Sequence, residues 1–222
     1  IVPPTVSRGT RQRVASRGVT ILLIGETGTG KELFARALHA ASERAGQAFV
    51  AVNCASLSAA LLESRMAQAL GGTLFLDDGG ELPVLLQAQL LHALDGRGGD
   101  TPAVPDVRLV AASACGLEQK IQRGEFREDL FYRLQGLVLT LPRFHERADK
   151  RALIRHLFAQ EAADAPSISL SERLVDALCA HRWPGNLRQL RNALRAMIAR
   201  RSSDKLDLAD LPWDYSLGAH PA

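Results

Sequence analysis

The sequence predicts an α/β fold, a mostly parallel sheet packed between helices and followed by a small helical domain. Three observations point there. From residue 19 to residue 141, short apolar runs alternate with segments of helical periodicity, and strands separated by helices need crossover connections and so lie parallel. A glycine-rich loop joins the first apolar run to the first helix. After Pro142 the strand signals stop and three helical patterns follow.

Each element has a local reason. Val19 to Ile24, apolar but for Thr20, reads as a buried strand between Gly18 and Gly25, as a strand covered on both faces requires. Lys31 to Ser42 carries Leu33, Ala37, Leu38 and Ala41 at helical spacing. Phe49 to Asn53 is a second short strand. Ser58 to Leu70 reads as a helix with Ser58 as its cap. Thr73 to Leu76 is a third strand, running into Asp77 and Asp78. Leu82 to Leu94 is a helix opened by Pro83, an allowed first-turn position. Val107 to Ala112 and Leu137 to Leu141 are the fourth and fifth strands. Arg151 to Ala163, Ser171 to His181 and Leu187 to Arg200 are the helices of the C-terminal part, where Trp183 and Trp213 read as packing residues. The glycine- and proline-bearing stretch Asp95 to Pro105 reads as a mobile loop, and Ile1 to Arg8 and Ser216 to Ala222 as frayed ends.

Composition narrows the class. The 222 residues are 46% hydrophobic and 23% charged, which excludes disordered, collagenous and coiled-coil chains. No apolar run approaches the ~18 residues of a membrane helix, and no signal-peptide pattern opens the sequence, so a cytoplasmic location without membrane contact is expected. The first residue is Ile1, so the chain reads as an excised segment. Cys54, Cys115 and Cys179 lack metal or disulfide spacing and read as reduced, mostly core residues. The six histidines form no spaced cluster, and none is assigned as a ligand. A net charge of +3 is too mild to imply nucleic acid by itself.

The chemistry concentrates in two places. Gly25-Glu26-Thr27-Gly28-Thr29-Gly30-Lys31 fits G-x-x-x-x-G-K, with a buried strand before it and a helix after it. Glycines let backbone amides turn around phosphate oxygens, the helix N-terminus adds partial positive charge, and the lysine reaches the β- and γ-phosphates. Glu32 stands where the generic motif has Ser or Thr for magnesium. The competing reading is a glycine-rich turn that binds nothing. Asp77 and Asp78, at the C-terminal end of an apolar strand, form the second place. Adjacent acids repel and call for a cation or strong donors; one can hold magnesium through water and the other can orient an attacking water. The competing reading is a solvated turn, helped by Gly79-Gly80.

Taken with Asn53-Cys-Ala55, Gly71-Gly-Thr-Leu-Phe-Leu-Asp-Asp78, Gly80-Glu-Leu-Pro83, Gln89-Leu-Leu91, Gly124-Glu-Phe-Arg-Glu-Asp-Leu-Phe-Tyr-Arg-Leu134 and Trp183-Pro-Gly-Asn-Leu-Arg188, the chain resembles the AAA+ ATPase domain of the bacterial sigma-54-dependent transcription activators over about Thr10 to Trp213. In that family Glu after the loop lysine is usual. The resemblance implies a three-layer parallel-sheet P-loop AAA+ core over residues 1–143 and a helical lid over residues 144–222. ATP and Mg2+ are the implied cofactors. It places Gly25 to Glu32 on the nucleotide, Lys31 on phosphates, Asp77 on magnesium, and Asp78 at the water-activating glutamate. Arg127 and Arg133 match arginine fingers that reach a neighbouring subunit, and Arg188 matches the sensor arginine of the lid. The residue-level alternatives are pairing of Arg127 and Arg133 with Glu125, Glu128 or Asp129, and a solvated helix face shared by Arg188, Arg191 and Arg195. Ile1-Val2 resembles an apolar pair of the adenine pocket, although the residues after it do not match.

Four departures from the family stand out. The excursion carrying Gly-Ala-Phe-Thr-Gly-Ala, which grips sigma-54, is missing: only Arg65 to Leu70 separates Glu63-Ser64 from Gly71-Gly72. The Walker B glutamate is Asp78. The first sensor, Thr-Asn, is Ser113-Ala114. The second pore loop is shortened to Asp95–Pro105, and the segment after the fifth strand reads Leu141-Pro-Arg-Phe-His-Glu-Arg147. The resulting expectation is an ATP-binding domain of a transcription regulator that forms a homo-oligomer, a dimer or a ring, hydrolyses weakly or not at all, and does not remodel sigma-54. RNA polymerase or other transcription proteins are possible partners, and DNA contact would come from a domain outside this chain. The alternatives are an active ATPase acting on another client, and an interaction or DNA-binding module with a vestigial site. For the last, Ala177 to Ser203 holds six arginines and no acid.

Overall fold

The computed structural model describes residues 19–95, 106–114, 116–165 and 167–212. The readings of Ile1-Val2, both chain ends, Cys115, Trp213, His220 and the loop beyond Asp95 lie outside the described residues.

The elements follow the predicted order. They are β1 (Ile21–Ile24), α1 (Lys31–Ala40), β2 (Phe49–Asn53), α2 (Ala59–Gln68), β3 (Thr73–Asp77), α3 (Val84–Leu94), β4 (Arg108–Ser113), α4 (Leu117–Gln122), α5 (Glu128–Leu134) and β5 (Leu137–Thr140). The lid contributes α6 (Lys150–Glu161), β6 (Ser169–Leu170), α7 (Glu172–Ala180), α8 (Asn186–Arg200) and β7 (Lys205–Leu206). Ser58 caps α2 as expected, accepting from Leu61 N at 3.3 Å.

The five strands form one parallel sheet in the order β2-β3-β4-β1-β5. Burial follows from that order. The inner strands β3 and β4 are buried almost throughout, whereas β2 and β5 sit at the edges and alternate. The period of two sends Leu22, Leu74, Leu76, Leu109 and Ala111 to one face, beneath α2 to α5. It sends Ile21, Leu23, Phe75, Val110 and Ala112 to the other, against Phe34, Ala35 and Leu38 of α1. Three layers result.

A separate apolar cluster holds the lid. Phe144, Ile154, Leu157, Leu174, Leu190, Leu194 and Met197 pack around Trp183, whose Nε1 donates to Leu178 O at 2.7 Å. One expectation is corrected here. Strand structure does not stop after Pro142, because β6 and β7 pair in parallel through Ser169–Lys205 and Leu170–Leu206. Two-residue strands carry no readable period, so only the fold reveals them. The helices α4 and α5 were also missed as elements: six and seven residues are too few for the apolar period to declare itself.

Candidate functional site

The strand order turns at β1, which lies between β4 and β5. In parallel sheets such a reversal opens a crevice at the C-terminal ends of the strands, and the glycine loop leaves β1 at that point. Gly25 N donates to Ser113 O at 3.1 Å, tying the loop to the end of β4. Gly28 and Gly30 take φ of +82° and +94°, a region that glycine alone enters without strain. Thr29 Oγ1 donates to Glu26 O at 2.8 Å and closes the turn. The loop ends on the N-terminus of α1, whose first amides are free of intrahelical partners.

Lys31 is buried, and its Nζ donates to Gly25 O at 2.8 Å and to Glu26 O at 3.2 Å. Its ammonium is thereby held inside the loop. Glu32 bonds Arg36 one turn along the helix, at 2.7 Å. Asp77 ends β3 and faces the same space. Burial and the adjacent Asp78 push its carboxyl above the usual carboxylate range, while Lys31 pulls it back. Asp78 takes a left-handed φ of 51°, and its amide donates to Asp77 Oδ1 at 3.2 Å.

A cleft of about 270 Å³ joins these groups to the lid. Gly28, Gly30, Lys31, Glu32 and Asp77 form its floor, and α6 and α8 form its far wall. Arg188 projects from the first turn of α8 into it and has no partner among the described residues. Arg191 and Arg195, grouped by sequence on a solvated face, also line this wall, where both are paired with Glu161.

Asn186 is the residue that sequence reasoning left without a role. It sits at a left-handed φ of 52° and is buried. Its Nδ2 donates to Glu26 Oε2 at 3.2 Å and to Thr27 O at 3.1 Å. Its Oδ1 accepts from Phe144 N at 2.9 Å. Leu187 N donates to Gly28 O at 2.9 Å, and Arg143 pairs with Glu26 at 2.9 Å. The lid is thus bonded directly to the phosphate loop. Among the described residues, the non-glycine positions with positive φ are Asp78, Trp183 and Asn186: one follows Asp77, and two lie in the turn that touches Gly28. Such strained backbone persists only where its surroundings impose it.

Arg127 and Arg133 do not line the cleft of their own chain. Arg127 is exposed and bonds both carboxylate oxygens of Asp129, at 3.0 and 2.7 Å, so the pairing anticipated as its alternative is present. Arg133 donates to Leu94 O at 3.0 Å and lies 3.9 Å from Asp95. Ala114 follows β4 beside the start of the loop and presents no polar side-chain atom there. Among the described residues no group of three His, Cys, Asp or Glu is arranged to hold a metal.

A parallel sheet, a glycine loop capping a helix, a buried lysine, an acid at the next strand end and a helical lid define a P-loop NTPase domain of the AAA+ type. Residues 9–144 match the sigma-54 interaction domain and residues 145–221 match the AAA+ ATPase lid domain; the chain belongs to the sigma-54 interaction domain family. It is 40% identical to the acetoin catabolism regulatory protein of Cupriavidus necator over 235 residues, covering 95% of this chain and 35% of that protein. It is 38% identical to the DNA-binding transcriptional regulator NtrC of Escherichia coli K12, covering 90% of this chain and 48% of that protein. The chain therefore spans less than half the length of these relatives. The crystal structure of NtrX from Brucella abortus in complex with ATP superposes with a TM-score of 0.80 at 34% identity, over 96% of this chain and 56% of that one. Among the described residues no helix is long and apolar enough to cross a membrane.

Proposed function

We propose that this chain is the ATP-binding central domain of a bacterial transcription regulator, that nucleotide controls its self-association, and that it hydrolyses ATP weakly or not at all. The observation that carries this reading is the convergence of the α1 N-terminus, Lys31, Asp77 and the unpartnered Arg188 on one cleft. Donors and cations on three sides suit a polyphosphate. The residues fit the nucleotide: amides of Gly28 to Lys31 and the Lys31 ammonium would meet phosphate oxygens, and Arg188 would bring positive charge from the lid. They also fit magnesium held mainly by phosphates and water, since of the two carboxylates that line the cleft Glu32 is paired with Arg36 and Asp77 is left to face the ion, and Mg2+ commonly takes one or two protein carboxylates. When bound, the ion would neutralise phosphate charge.

Two features support weak hydrolysis. Asp78 is one methylene shorter than the family's glutamate and is not among the residues that line the cleft, and the Ala114 side chain offers no hydrogen bond to a water. A misplacement of ~1 Å can cost on the order of a hundredfold in rate. Loss of sigma-54 remodelling is supported by the connection from α2 to β3, which is residues 69–72 alone, and by the lack of a Gly-Ala-Phe-Thr-Gly-Ala hexapeptide in the 222 residues. The exposed Arg127 and Arg133, outside their own cleft, support action on a neighbouring copy. RNA polymerase or another transcription protein would be the client, with DNA contacted by a domain beyond this chain, in the cytoplasm.

Calorimetric titration with ATP and magnesium tests the binding. Wild type and Lys205→Ala, at an exposed lysine, should bind, and Lys31→Ala should not. Absence of heat in a folded wild-type sample overturns the reading. Steady-state phosphate release near 1 per second, within the usual range of phosphoryl-transfer enzymes, would instead assign an active ATPase.

A further inference from the structure

Gln87 is fully buried in α3, although glutamine belongs mostly to surfaces. Its amide is spent on backbone. Nε2 donates to Leu82 O at 2.8 Å and to Glu125 O at 3.0 Å, and Oε1 accepts from Arg127 N at 2.8 Å. A buried amide is costly unless its bonds are made. Two of the three made here converge on residues 125–127, the irregular segment that carries Arg127.

A second tether reaches the same segment. Lys120 O accepts from Glu125 N at 2.9 Å and from Phe126 N at 3.2 Å. Lys120 Nζ donates to Gly80 O at 2.8 Å and pairs with Glu81 at 2.7 Å. Gly80 and Glu81 belong to the turn that follows Asp77-Asp78. The far end of α3 holds the other arginine through Leu94 O. None of these bonding groups lines the cleft.

We propose that Gln87 is a positioning residue. It fixes the direction in which Arg127 is presented to a second copy of the chain, and with Lys120 it ties that direction to the turn after the chain's own Asp77-Asp78. The proposal rests on the reading of Arg127 as a group that acts in trans. Apolar packing alone would bury the segment, whereas a donor on one side and an acceptor on the other set where the backbone of Arg127 points. Orientation is what a charge acting across a subunit boundary needs. A displacement of the turn beside one nucleotide would pass through Lys120 and Gln87 to the arginine offered to the next.

The test uses the 222-residue chain with ATP and magnesium. Titration of a fluorescent ATP analogue, at concentrations where the chain is monomeric, reads the chain's own cleft. Sedimentation velocity over a concentration series, with and without ATP, reads assembly. Gln87→Met should leave the first unchanged and weaken ATP-dependent assembly by about tenfold, as Arg127→Ala does, and the double variant should be no weaker than either single variant. If Gln87→Met does not fold, Lys120→Met, at a partly exposed position, must give the same split. Assembly like wild type in Gln87→Met, or in Lys120→Met where that is the variant read, alongside impaired Arg127→Ala, overturns the proposal, and so does simple additivity. Wild type that binds no ATP defeats the underlying reading of the cleft; wild type that binds ATP while Arg127→Ala assembles normally removes the role of Arg127 and the proposal with it.

Discussion

Asn186 and Glu26, 160 positions apart in the chain, are hydrogen-bonded across the boundary between lid and phosphate loop, Nδ2 to Oε2 at 3.2 Å. The same amide holds Thr27 O and Phe144 N. One buried side chain therefore fixes the phosphate loop, the entry into the lid and the start of α8, two residues before Arg188.

Asn186→Ala is expected to strand Thr27 O and Phe144 N and to place alanine at a positive φ. Leaving buried polar groups unpaired costs on the order of 2 kcal/mol, which lowers Tm by roughly 4–8 °C in a chain of this size. ATP affinity should fall as well, since Arg188 loses its bearing on the cleft. Thermal unfolding with and without nucleotide measures both; an ATP-induced rise in Tm equal to that of wild type would remove Asn186 from the coupling.

Gly28→Ala should separate the lid from the loop. A Cβ there would lie 2.3 Å from Gly185 O, a backbone atom that no rotamer change can move aside, at a φ of +82°. The bond from Leu187 N to Gly28 O would break. Limited trypsinolysis should cut faster in the linking segment 143–151, while the circular dichroism of the two packed cores stays unchanged. An unaltered cleavage pattern would mean that the contact is dispensable.

Restoring two side chains should raise turnover in the proposed reading. Asp78→Glu with Ala114→Asn returns the longer acid and an amide able to orient water. Phosphate release should increase by at least about tenfold, given the ~1 Å sensitivity of such arrangements. Binding of ATP, which depends on Lys31 and the loop, should change little. No gain in rate would place the block elsewhere in the site.

Acid should weaken the fold through His39. Its ring is buried, with Nε2 against Gln47 O at 3.2 Å and Nδ1 against the Thr73 hydroxyl at 2.9 Å. A neutral ring satisfies both, donating from Nε2 and accepting at Nδ1. Burial, with Arg108 and Arg36 nearby, holds its pKa below the ordinary 6.5, despite the opposing pull of Gln47. The unfolded chain then binds the proton first as pH falls, so stability is complete above about pH 6.5 and declines below it. Tm measured from pH 7.5 to pH 5 should fall, and the slope should be shallower in His39→Phe. It should not vanish, because burial depresses His181 in the same direction.

Much of this was legible in the chain itself. Apolar runs at Ile21–Ile24 and Leu74–Leu76 declare strands buried on both faces, and the glycine-lysine loop lies between a strand and a helix, so the phosphate-binding end of the sheet is written in local order. Periodicity also separates the sheet domain from the lid helices. Asp77 reaches the cleft because it ends an inner strand, which sequence position already implied. The bonds between lid and loop could not be read in this way. Asn186 meets Glu26, Arg191 and Arg195 meet Glu161, and Gln87 meets Arg127 across 160, 30 to 34 and 40 positions. A side-chain amide or guanidinium has no period and no fixed spacing to its partner. Its role is decided by which backbone or side-chain groups the folded chain brings within hydrogen-bonding reach of it, and that depends on the strand order and on how the lid closes over the loop.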